Sequence, residues 1–249
     1  IYVRINVLFS FEKLELPVNY NHIMQSFILQ LIDDAEYRRF IHDEGYKHST
    51  RSYKLFTFSA FVGDFVLDRH RKIITFSKNA VLSISSCNED LIRYCADSLL
   101  FKDYFQLLSQ KIYVKKLDYE SEKIEDREIT VKTLSPITVY STIDDGLRKR
   151  TVYFSPHDSQ FSVLVGENLI HKYFAFHGTD ESACLNRDIK IFPKEEKSLR
   201  KVVTRYKNFV IEAWNGVFVI QGDPALLQIG YDAGFGSKNS QGFGLVKML

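Results

Sequence analysis

The amino-terminal segment of the chain alternates in character from one residue to the next. Apolar side chains occupy every odd position from Ile1 to Phe11, while Arg4 and Asn6 stand at even positions between them. Because successive side chains of a strand point to opposite faces, this alternation predicts a β-strand with one buried face. Pro17 breaks the pattern, so the chain begins with a half-buried strand of limited length.

A helical pattern follows this strand. Apolar residues recur at three- and four-residue steps from Ile23 to Ile32, Asn19 or Asn21 is available as the N-cap, and Gly45 marks the end of the helical region. The other elements predicted for this half are strands at 53–61, 72–77 and 80–86, a helix at 88–101 that begins at Asn88, and a strand at 111–117. In order, these elements form a β-α-β-β-α-β unit, which is ferredoxin-like.

The second half repeats the pattern loosely. Its predicted elements are strands at 128–141 and 148–155, a helix at 159–176, strands at 199–206 and 209–221 with a turn at Gly216, a helix at 223–231 and a strand at 245–248. We therefore expect an α+β protein with tandem ferredoxin-like domains over 1–120 and 121–249. Between them, residues 118–128 hold six acids and two bases, which indicates either an interdomain connection or a solvated hairpin.

Composition excludes several classes of protein. With 249 residues, 45% of them hydrophobic, the chain can bury a core and is not disordered. It has no apolar run long enough to span a membrane, and its start is too polar for a secretory signal, so we expect a cytoplasmic protein with no membrane partner. Cys87, Cys95 and Cys184 are widely spaced and include no CxxC pair, which argues against disulfides and a zinc site.

A glycine-rich segment stands close to the end of the chain. Gly234, Gly236, Gly242 and Gly244 fall within eleven residues, and Lys238 lies among them. Successive amide groups in such a loop can form a nest for a phosphate, and the lysine adds a positive charge. The loop lacks the Gly-Lys-Ser/Thr ending of a Walker A motif and the third glycine of a dinucleotide fingerprint. The alternative is a glycine-rich hairpin that serves only packing.

A basic run precedes this segment in a chain whose formal net charge is only +2. Residues 187–207 contain eight bases and three acids, a local net charge of +5; the bases are Arg187, Lys190, Lys194, Lys197, Arg200, Lys201, Arg205 and Lys207. Such a run provides phosphate contacts to nucleic acid, and Phe192 and Tyr206 offer faces for base stacking. The alternative is an ordinary solvated face.

The glycine-rich ending also carries a resemblance to a known family. Residues 229–246, IGYDAGFGSKNSQGFGLV, resemble the signature of the repeat-associated proteins of CRISPR systems, and most of all the CRISPR repeat endoribonuclease that cuts precursor guide RNA. Further stretches of the chain look like that family in the expected order, namely 16–25 (LPVNYNHIMQ), 40–45 (FIHDEG), 54–59 (KLFTFS) and 134–137 (LSPI). The resemblance covers nearly the whole chain.

The resemblance implies a fold, a substrate and a mechanism. The family consists of two ferredoxin-like domains and cleaves RNA without a metal ion or other cofactor. The 2′-hydroxyl of the substrate attacks the adjacent phosphate, which leaves a 2′,3′-cyclic phosphate and a 5′-hydroxyl end, with general acid–base help and a stabilising cation. The implied partner is CRISPR repeat RNA, and other subunits of an effector complex are further candidates. Whether the protein is a monomer or a dimer stays open.

The resemblance also implies which residues act. His42 stands at the position of the catalytic histidine and Lys54 at that of the catalytic lysine; without the resemblance, they read as a helix-end histidine and a lysine at a strand start. Some members place a catalytic tyrosine where this chain has Leu29. Tyr37 or Tyr46 is then the auxiliary group, or His42 acts with Lys54 alone.

Other residues complete this prediction. Arg200, Lys201 and Arg205 are expected to bind RNA together with the glycine-rich segment, Gly234, Gly236, Lys238, Gly242 and Gly244. Between His42 and Lys54, the residues Lys47, His48 and Arg51 indicate either a mobile polar loop near the scissile phosphate or a solvated turn. The other histidines, which lack metal-like spacing, are expected to be structural or surface residues; they are His22, His70, His157, His171 and His177.

Two alternative functions stay open at this point. One is an RNA-binding subunit of a CRISPR complex that has the same fold but does not cut, which the absence of a tyrosine at Leu29 favours. The other is a ferredoxin-like enzyme acting on a nucleotide or a small phosphate. The absence of a Walker motif and of Cys/His metal patterns argues against the second.

Overall fold

The computed structural model describes residues 3–144, 146, 148–178 and 185–249, and within these ranges the chain forms two α+β units of the same topology. Ile1, which the alternation assigns to the first strand, and Cys184 lie outside the described residues. Cys87 and Cys95 are buried free thiols. No helix in the described ranges is both long enough and apolar enough to cross a membrane.

The first unit extends to Glu120. Its elements are β1 (Arg4–Pro17), α1 (Asn21–Leu31), α2 (Ala35–Arg39), a π-helical turn (Phe40–Glu44), β2 (Tyr46–His48), β3 (Arg51–Tyr53), β4 (Phe56–Phe58), β5 (Phe65–Asp68), β6 (Ile73–Ser86), α3 (Glu89–Phe101), β7 (Phe105–Leu107) and β8 (Gln110–Glu120). The antiparallel sheet has the order β4-β6-β1-β8, which is the ferredoxin-like order predicted above. The apolar faces of α1 and α3 contribute to one core with the alternating buried residues of β1.

Two strand boundaries in this unit differ from the sequence prediction. The strands expected at 72–77 and 80–86 are one strand, β6, because β1 pairs with β6 on both sides of the gap between them. A β-bulge in β1, between Ser10 and Lys13, lets this pairing continue past the irregular stretch. The strand expected at 53–61 is interrupted at Leu55, whose φ of 54° is incompatible with an extended chain. β3 therefore ends at Tyr53, and β4 pairs with β6.

The predicted cap of the first helix is wrong, whereas that of α3 is confirmed. α1 begins after Tyr20 without a side-chain cap. Asn19 Oδ1 instead accepts a hydrogen bond from Thr204 Oγ1 at 2.9 Å, and Asn21 Nδ2 donates to the backbone oxygen of Gln241 at 2.8 Å. Both asparagines serve contacts with the second unit. Asn88 caps α3 by accepting from the Asp90 amide at 2.9 Å.

The second unit follows a connection over residues 121–127. Its elements are β9 (Glu128–Thr133), β10 (Tyr140–Asp144), β11 (Lys149–Tyr153), α4 (Ser159–His177), β12 (Lys190–Pro193), a 3₁₀ turn (Glu196–Ser198), β13 (Arg200–Tyr206), β14 (Phe209–Asn215), β15 (Val217–Gln221), α5 (Pro224–Ala233), a 3₁₀ turn (Asn239–Gln241) and β16 (Val246–Met248). The sheet order β12-β15-β9-β16 repeats that of the first unit. The hairpins β10–β11 and β13–β14 are insertions outside this sheet.

Two strands of this unit differ from the sequence prediction. The strand expected at 128–141 ends at Thr133, because the backbone amides of Leu134 and Ser135 turn to the Leu245 oxygen at 2.7 and 3.0 Å. β12 was not predicted, since a four-residue edge strand inside a basic run gives little periodic signal.

A buried arginine of β1 joins the two units. The guanidinium of Arg4 donates to the backbone oxygens of Tyr231 and Val246, both at 2.9 Å, and lies 4.2 Å from the centre of the Tyr231 ring. Glu120 pairs with the same guanidinium at 3.3 Å. Because these bonds connect the first strand with the last helix and the last strand, they fix the relative placement of the units.

Candidate active site

The segment that carries His42 and Lys54 is a helical turn followed by a hairpin. The π-helical turn closes with a hydrogen bond from the Gly45 amide to the Phe40 oxygen at 2.7 Å, and Gly45 leaves it with a φ of 67°. A side chain at Gly45 would meet the Tyr53 backbone oxygen at 2.6 Å, so the start and the end of the hairpin approach closely only because the residue is glycine. π-Helical turns are often found at functional sites.

His42 projects from this turn and is exposed. Its Nδ1 atom lies 2.6 Å from Oδ1 of Asp43. When Nδ1 carries the proton, this bond fixes the neutral tautomer in which Nε2 is free to accept a proton. The pair therefore has the arrangement of a general base with an orienting carboxylate.

A cleft of about 680 Å³ opens beside His42. Leu29, at only 8% exposure, forms part of its wall, so the position where the family resemblance implies a tyrosine in some members lies in the same cleft as the histidine. The cleft is rich in polar and cationic groups from α1, α2 and the tip of the β13–β14 hairpin; its lining includes Gln25, Arg38, Arg39, Asp43 and Lys207.

Lys54 lies next to this cleft, and its side chain makes a hydrogen bond to the backbone of His42. The Lys54 Nζ atom donates to the His42 carbonyl oxygen at 2.6 Å. Burial lowers the pKa of Lys54, and the Asp43 carboxylate opposes that effect. The side chain also lines a second recess of about 740 Å³ between the units.

The segment between His42 and Lys54 is a hairpin whose Lys47 and Arg51 side chains are exposed, which agrees with the solvated-turn alternative, and its mobility stays a prediction. β2 pairs with β3, and Nδ1 of His48 lies 2.7 Å from Nδ1 of His171 on α4. The His48 ring is also stacked on Phe174, with centroids 5.4 Å apart. These contacts attach the hairpin to the second unit, which gives His171 the structural role predicted for it.

The contacts of the two auxiliary tyrosines do not favour a role in proton transfer. The hydroxyl of Tyr37 is buried, and burial and the neighbouring Tyr46 raise its pKa far above the usual range. The Tyr46 hydroxyl is bonded to Asn88, and its ring packs edge-on against Phe40 and Phe176. Neither tyrosine lines the cleft of His42.

The glycine-rich segment is packed between the units. Gly234, Gly236, Gly242 and Gly244 are buried, and a Cβ on Gly244 would lie 2.0 Å from the Phe235 oxygen. Its backbone accepts hydrogen bonds from the first unit, including Thr57 Oγ1 to the Phe243 oxygen at 2.8 Å. The close packing supports the alternative of a packing role for the glycines, and their contact with RNA stays a prediction.

Lysines hold and surround this segment. Lys172 on α4 is buried and donates to the oxygens of Gly234 and Gly236 at 2.6 and 2.9 Å. Burial lowers the pKa of Lys172 to about 7. Lys238 is half-buried with its Nζ atom 4.5 Å from the centre of the Tyr140 ring, and it lines the same recess as Lys54.

Half of the bases in the basic run lie on the β13–β14 hairpin. Arg200, Lys201 and Arg205 are exposed; Lys201 pairs with Glu212 at 2.8 Å, and Arg200 donates to the oxygens of Lys197 and Leu199 at 2.7 and 2.8 Å. Their contact with RNA stays a prediction.

The two aromatic residues of the run differ in exposure. Phe192 is open to solvent. Tyr206 is only 8% exposed because its ring packs edge-on against His22 and its hydroxyl bonds to Gln25, so the prediction that Tyr206 is an open stacking face is wrong.

Some residues of the site were missed by the sequence analysis. Asp43 could have been found from its place beside the candidate histidine. Lys172 and Asn168 gave no signal, because a lysine and an asparagine on a mostly apolar helix read as solvent-facing positions. Within the described residues, no group of three or more His, Cys, Asp or Glu side chains is arranged to hold a metal ion.

Comparisons with known proteins agree on one family. The family described as "CRISPR-associated protein Cas6, N-terminal" matches residues 15–118, and that described as "CRISPR associated protein Cas6, C-terminal" matches residues 119–248. CRISPR-associated endoribonuclease Cas6 of Pyrococcus furiosus is 27% identical over 244 residues, 94% of this chain and 84% of that protein. CRISPR-associated endoribonuclease Cas6 1 of Methanocaldococcus jannaschii is 29% identical over 238 residues, 93% of this chain and 86% of that protein. A solved structure described as a RAMP protein binding different RNA substrates has a TM-score of 0.81 and 25% identity, with both chains fully covered.

Proposed function

This chain belongs to the Cas6 family of CRISPR-associated proteins, and on that premise we propose that it is an endoribonuclease that cuts CRISPR precursor RNA within the repeat. The observation that carries the proposal is the hydrogen bond from the Lys54 side chain to the backbone of His42, at the edge of a cleft lined by cationic side chains. The substrate is transcribed in the prokaryotic cytoplasm, so we place the protein there.

The proposed reaction needs no group beyond the protein and the RNA. The 2′-oxygen attacks the adjacent phosphorus as the 2′-hydroxyl loses its proton. The bond between phosphorus and the 5′-oxygen breaks, and that oxygen gains a proton. The products are a 2′,3′-cyclic phosphate and a 5′-hydroxyl end, with no net gain or loss of protons.

We assign both proton transfers to His42. Its Nε2 atom takes the 2′-proton while Nδ1 stays bonded to Asp43, and the resulting imidazolium then protonates the 5′-oxygen. Lys54 stabilises the negative charge that builds up on the phosphate. Leu29 has no titratable atom, which is why a single group makes both transfers here.

The cations around the cleft provide RNA affinity. Arg38, Arg39 and Lys207 line the cleft of His42, and Lys238 lines the adjacent recess. Such groups bind phosphates irrespective of sequence, so the affinity of the protein for RNA falls as salt is added.

A second candidate is an RNA-binding subunit that does not cut. Leu29 is the observation that favours it, since a hydrocarbon lines the cleft where some relatives have a hydroxyl. This subunit would bind the same repeat RNA and join other members of a CRISPR effector complex.

The test uses the repeat RNA encoded beside this gene, incubated in EDTA with the wild-type protein, with His42→Ala and with His70→Ala. His70 is an exposed histidine outside the cleft and serves as the matched control. A second RNA carries a single 2′-deoxy sugar at the cut site. We expect the wild type and His70→Ala to cut the all-ribose RNA only, and His42→Ala to bind without cutting.

The other results are equally informative. Cleavage of the 2′-deoxy RNA, or loss of cleavage in EDTA that added metal restores, contradicts the mechanism. Tight binding by the wild type with no cleavage selects the non-cutting subunit.

A further inference from the structure

The recess between the units is lined by one stripe of α4. Gln160, Leu164, Asn168 and Lys172 follow each other at four-residue steps, so they share a face of the helix. All of them line the recess, whose volume of about 740 Å³ lies in the range of small-molecule sites. Gln160 is exposed, whereas Asn168 and Lys172 are buried, so the stripe runs from the mouth of the recess to its floor.

Asn168 on this floor lacks the bonds that a buried amide requires. It is 8% exposed, and its Oδ1 atom has no hydrogen-bond partner within the described residues. The Tyr53 hydroxyl, which also belongs to the lining, is buried beside the Arg51 side chain. Since an unsatisfied buried polar group destabilises a folded protein, the Asn168 amide indicates a site completed by a ligand.

The charges around the recess select an anionic ligand. Arg51, Lys54, Lys172 and Lys238 line it against a single carboxylate, that of Glu167. Lys172 uses two of its donors on Gly234 and Gly236. The Tyr140 ring adds an aromatic face beside Lys238, and RNA-binding proteins stack unpaired bases on such faces.

We propose that this recess holds one nucleotide of the RNA beside the cleaved phosphate, and that Asn168 reads its base as adenine. The amide of asparagine pairs with adenine through two hydrogen bonds, because its oxygen accepts from the amino group while its nitrogen donates to a ring nitrogen. A rotation about the Cβ–Cγ bond turns the amide towards a bound base. Lys54 lines the recess and also donates a hydrogen bond to the His42 backbone. A nucleotide in the recess therefore lies next to the cut.

This inference rests on the proposed function, because the nucleotide belongs to the RNA that the protein cuts. A free adenine nucleotide carries the same base and phosphate. The experiment therefore includes adenosine 5′-monophosphate as a separate arm.

The experiment measures the binding of repeat RNA that carries a 2′-deoxy sugar at the cut site and is labelled for fluorescence anisotropy. Each adenosine near the cut is replaced in turn by purine riboside, which lacks only the amino group. We expect one such replacement to weaken binding to the wild type by about 5- to 150-fold. The same replacement has no effect on Asn168→Ala, and Gln106→Ala, changed at an exposed amide of β7 outside the recess, behaves as the wild type.

Asn168→Leu is the second variant, since it keeps about the size of the side chain while losing both the acceptor and the donor. It tests the same coupling if Asn168→Ala unfolds, and a thermal melt of each protein establishes which variants are folded. We expect Asn168→Leu also to lose the discrimination between adenine and purine.

The inference is overturned when no replacement weakens binding, or when the same loss occurs in the Asn168 variants. It is also overturned when adenosine 5′-monophosphate fills the recess as tightly as RNA does and no RNA position matters. Cleavage of all-ribose RNA by the wild type is recorded in parallel. If RNA is bound but not cut, the proposed function fails, while the binding measurements still test the recess. If RNA is cut but no purine riboside position depends on Asn168, only this inference fails.

Discussion

The Lys54 ammonium group donates a hydrogen bond to the backbone carbonyl of His42 across 2.6 Å. The bond is made to the main chain, so the imidazole stays free to face the cleft. It also closes the base of the β2–β3 hairpin, since the two residues flank that hairpin in the sequence. The charge of Lys54 and the ring of His42 are thereby held in one rigid segment.

Replacing Lys54 by methionine removes a positive charge and keeps most of the side-chain volume. We expect the rate of RNA cleavage to fall about 100- to 1,000-fold, the effect of removing one preorganised donor to a developing negative charge. Single-turnover cleavage measures this rate. Lys47→Met is the matched control, because Lys47 is an exposed lysine of the same hairpin, and equal losses in the two variants would refute the role of Lys54.

Leu29→Tyr introduces a hydroxyl into the wall of the His42 cleft. We expect cleavage to become about 100-fold faster, because a second acid–base group then shares the proton transfers that His42 makes alone. Leu29→Phe adds the ring without the hydroxyl and separates the chemistry from the change in shape. An equal rate in both variants shows that the hydroxyl takes no part.

Lys172→Met leaves the oxygens of Gly234 and Gly236 without their donor. We expect the free energy of unfolding at pH 7 to fall by about 1–3 kcal/mol, the cost of unsatisfied buried acceptors. The affinity for uncleavable repeat RNA falls as well, because the segment that carries Lys238 loses its anchor. Chemical denaturation and anisotropy give the two numbers, and an unchanged stability contradicts the anchoring role.

The same lysine makes stability depend on pH. Its pKa is 10.5 in the unfolded chain and about 7 when buried, so the folded protein binds fewer protons between these values. Stability therefore rises with pH from about 7 to 10.5 in the wild type, and this contribution is absent from Lys172→Met. We therefore expect the unfolding free energy of the wild type minus that of Lys172→Met to increase when it is measured at pH 7, 8 and 9.

The contact between His48 and His171 predicts a loss of stability in mild acid. Burial, then Arg51 and His48, lower the pKa of His171 from 6.5. The unfolded chain takes up the proton first, so the contribution is complete above pH 6.5 and is lost as the pH falls below it. We expect the melting temperature to drop more between pH 7.5 and 5.5 in the wild type than in His171→Gln. Equal drops would mean that His171 makes no such contribution.

The close packing of the glycine-rich segment predicts a large effect at Gly244. Its φ of 81° resembles that of Gly178, which is 84°, but a Cβ on Gly178 has no heavy atom within 4 Å among the described residues. Gly178→Ala therefore measures backbone strain alone, about 1–3 kcal/mol, and Gly244→Ala adds a steric clash with the Phe235 oxygen. We expect Gly244→Ala to lose at least twice as much stability; equal losses would exclude the clash.

Local patterns predicted the elements best where one periodicity ran without interruption. β1, α3 and α4 were found because their apolar spacing and, for α3, the cap at Asn88 are properties of neighbouring residues. The pattern failed at β6 and β12. β6 is one strand because its pairing with β1 continues through an irregular sequence, and β12 is too short to show a period.

For the site, the resemblance singled out His42, Lys54 and the position of Leu29, and the structure adds what lies around them. Asp43 contacts the imidazole of His42 from the same π-helical turn. Tyr37 was predicted as an auxiliary group because the burial of its hydroxyl cannot be predicted from the sequence.

The sequence by itself determined most strands and helices of both halves, although it missed β12 of the second sheet, because periodicity is set by the local geometry of the backbone. Only the tertiary structure decided which side chains share a site. Lys54 of the first unit shares a recess with Asn168 and Lys172 of α4, and His48 reaches His171 across 123 positions of the chain. These contacts depend on how two separately patterned units pack against each other, which no local spacing encodes.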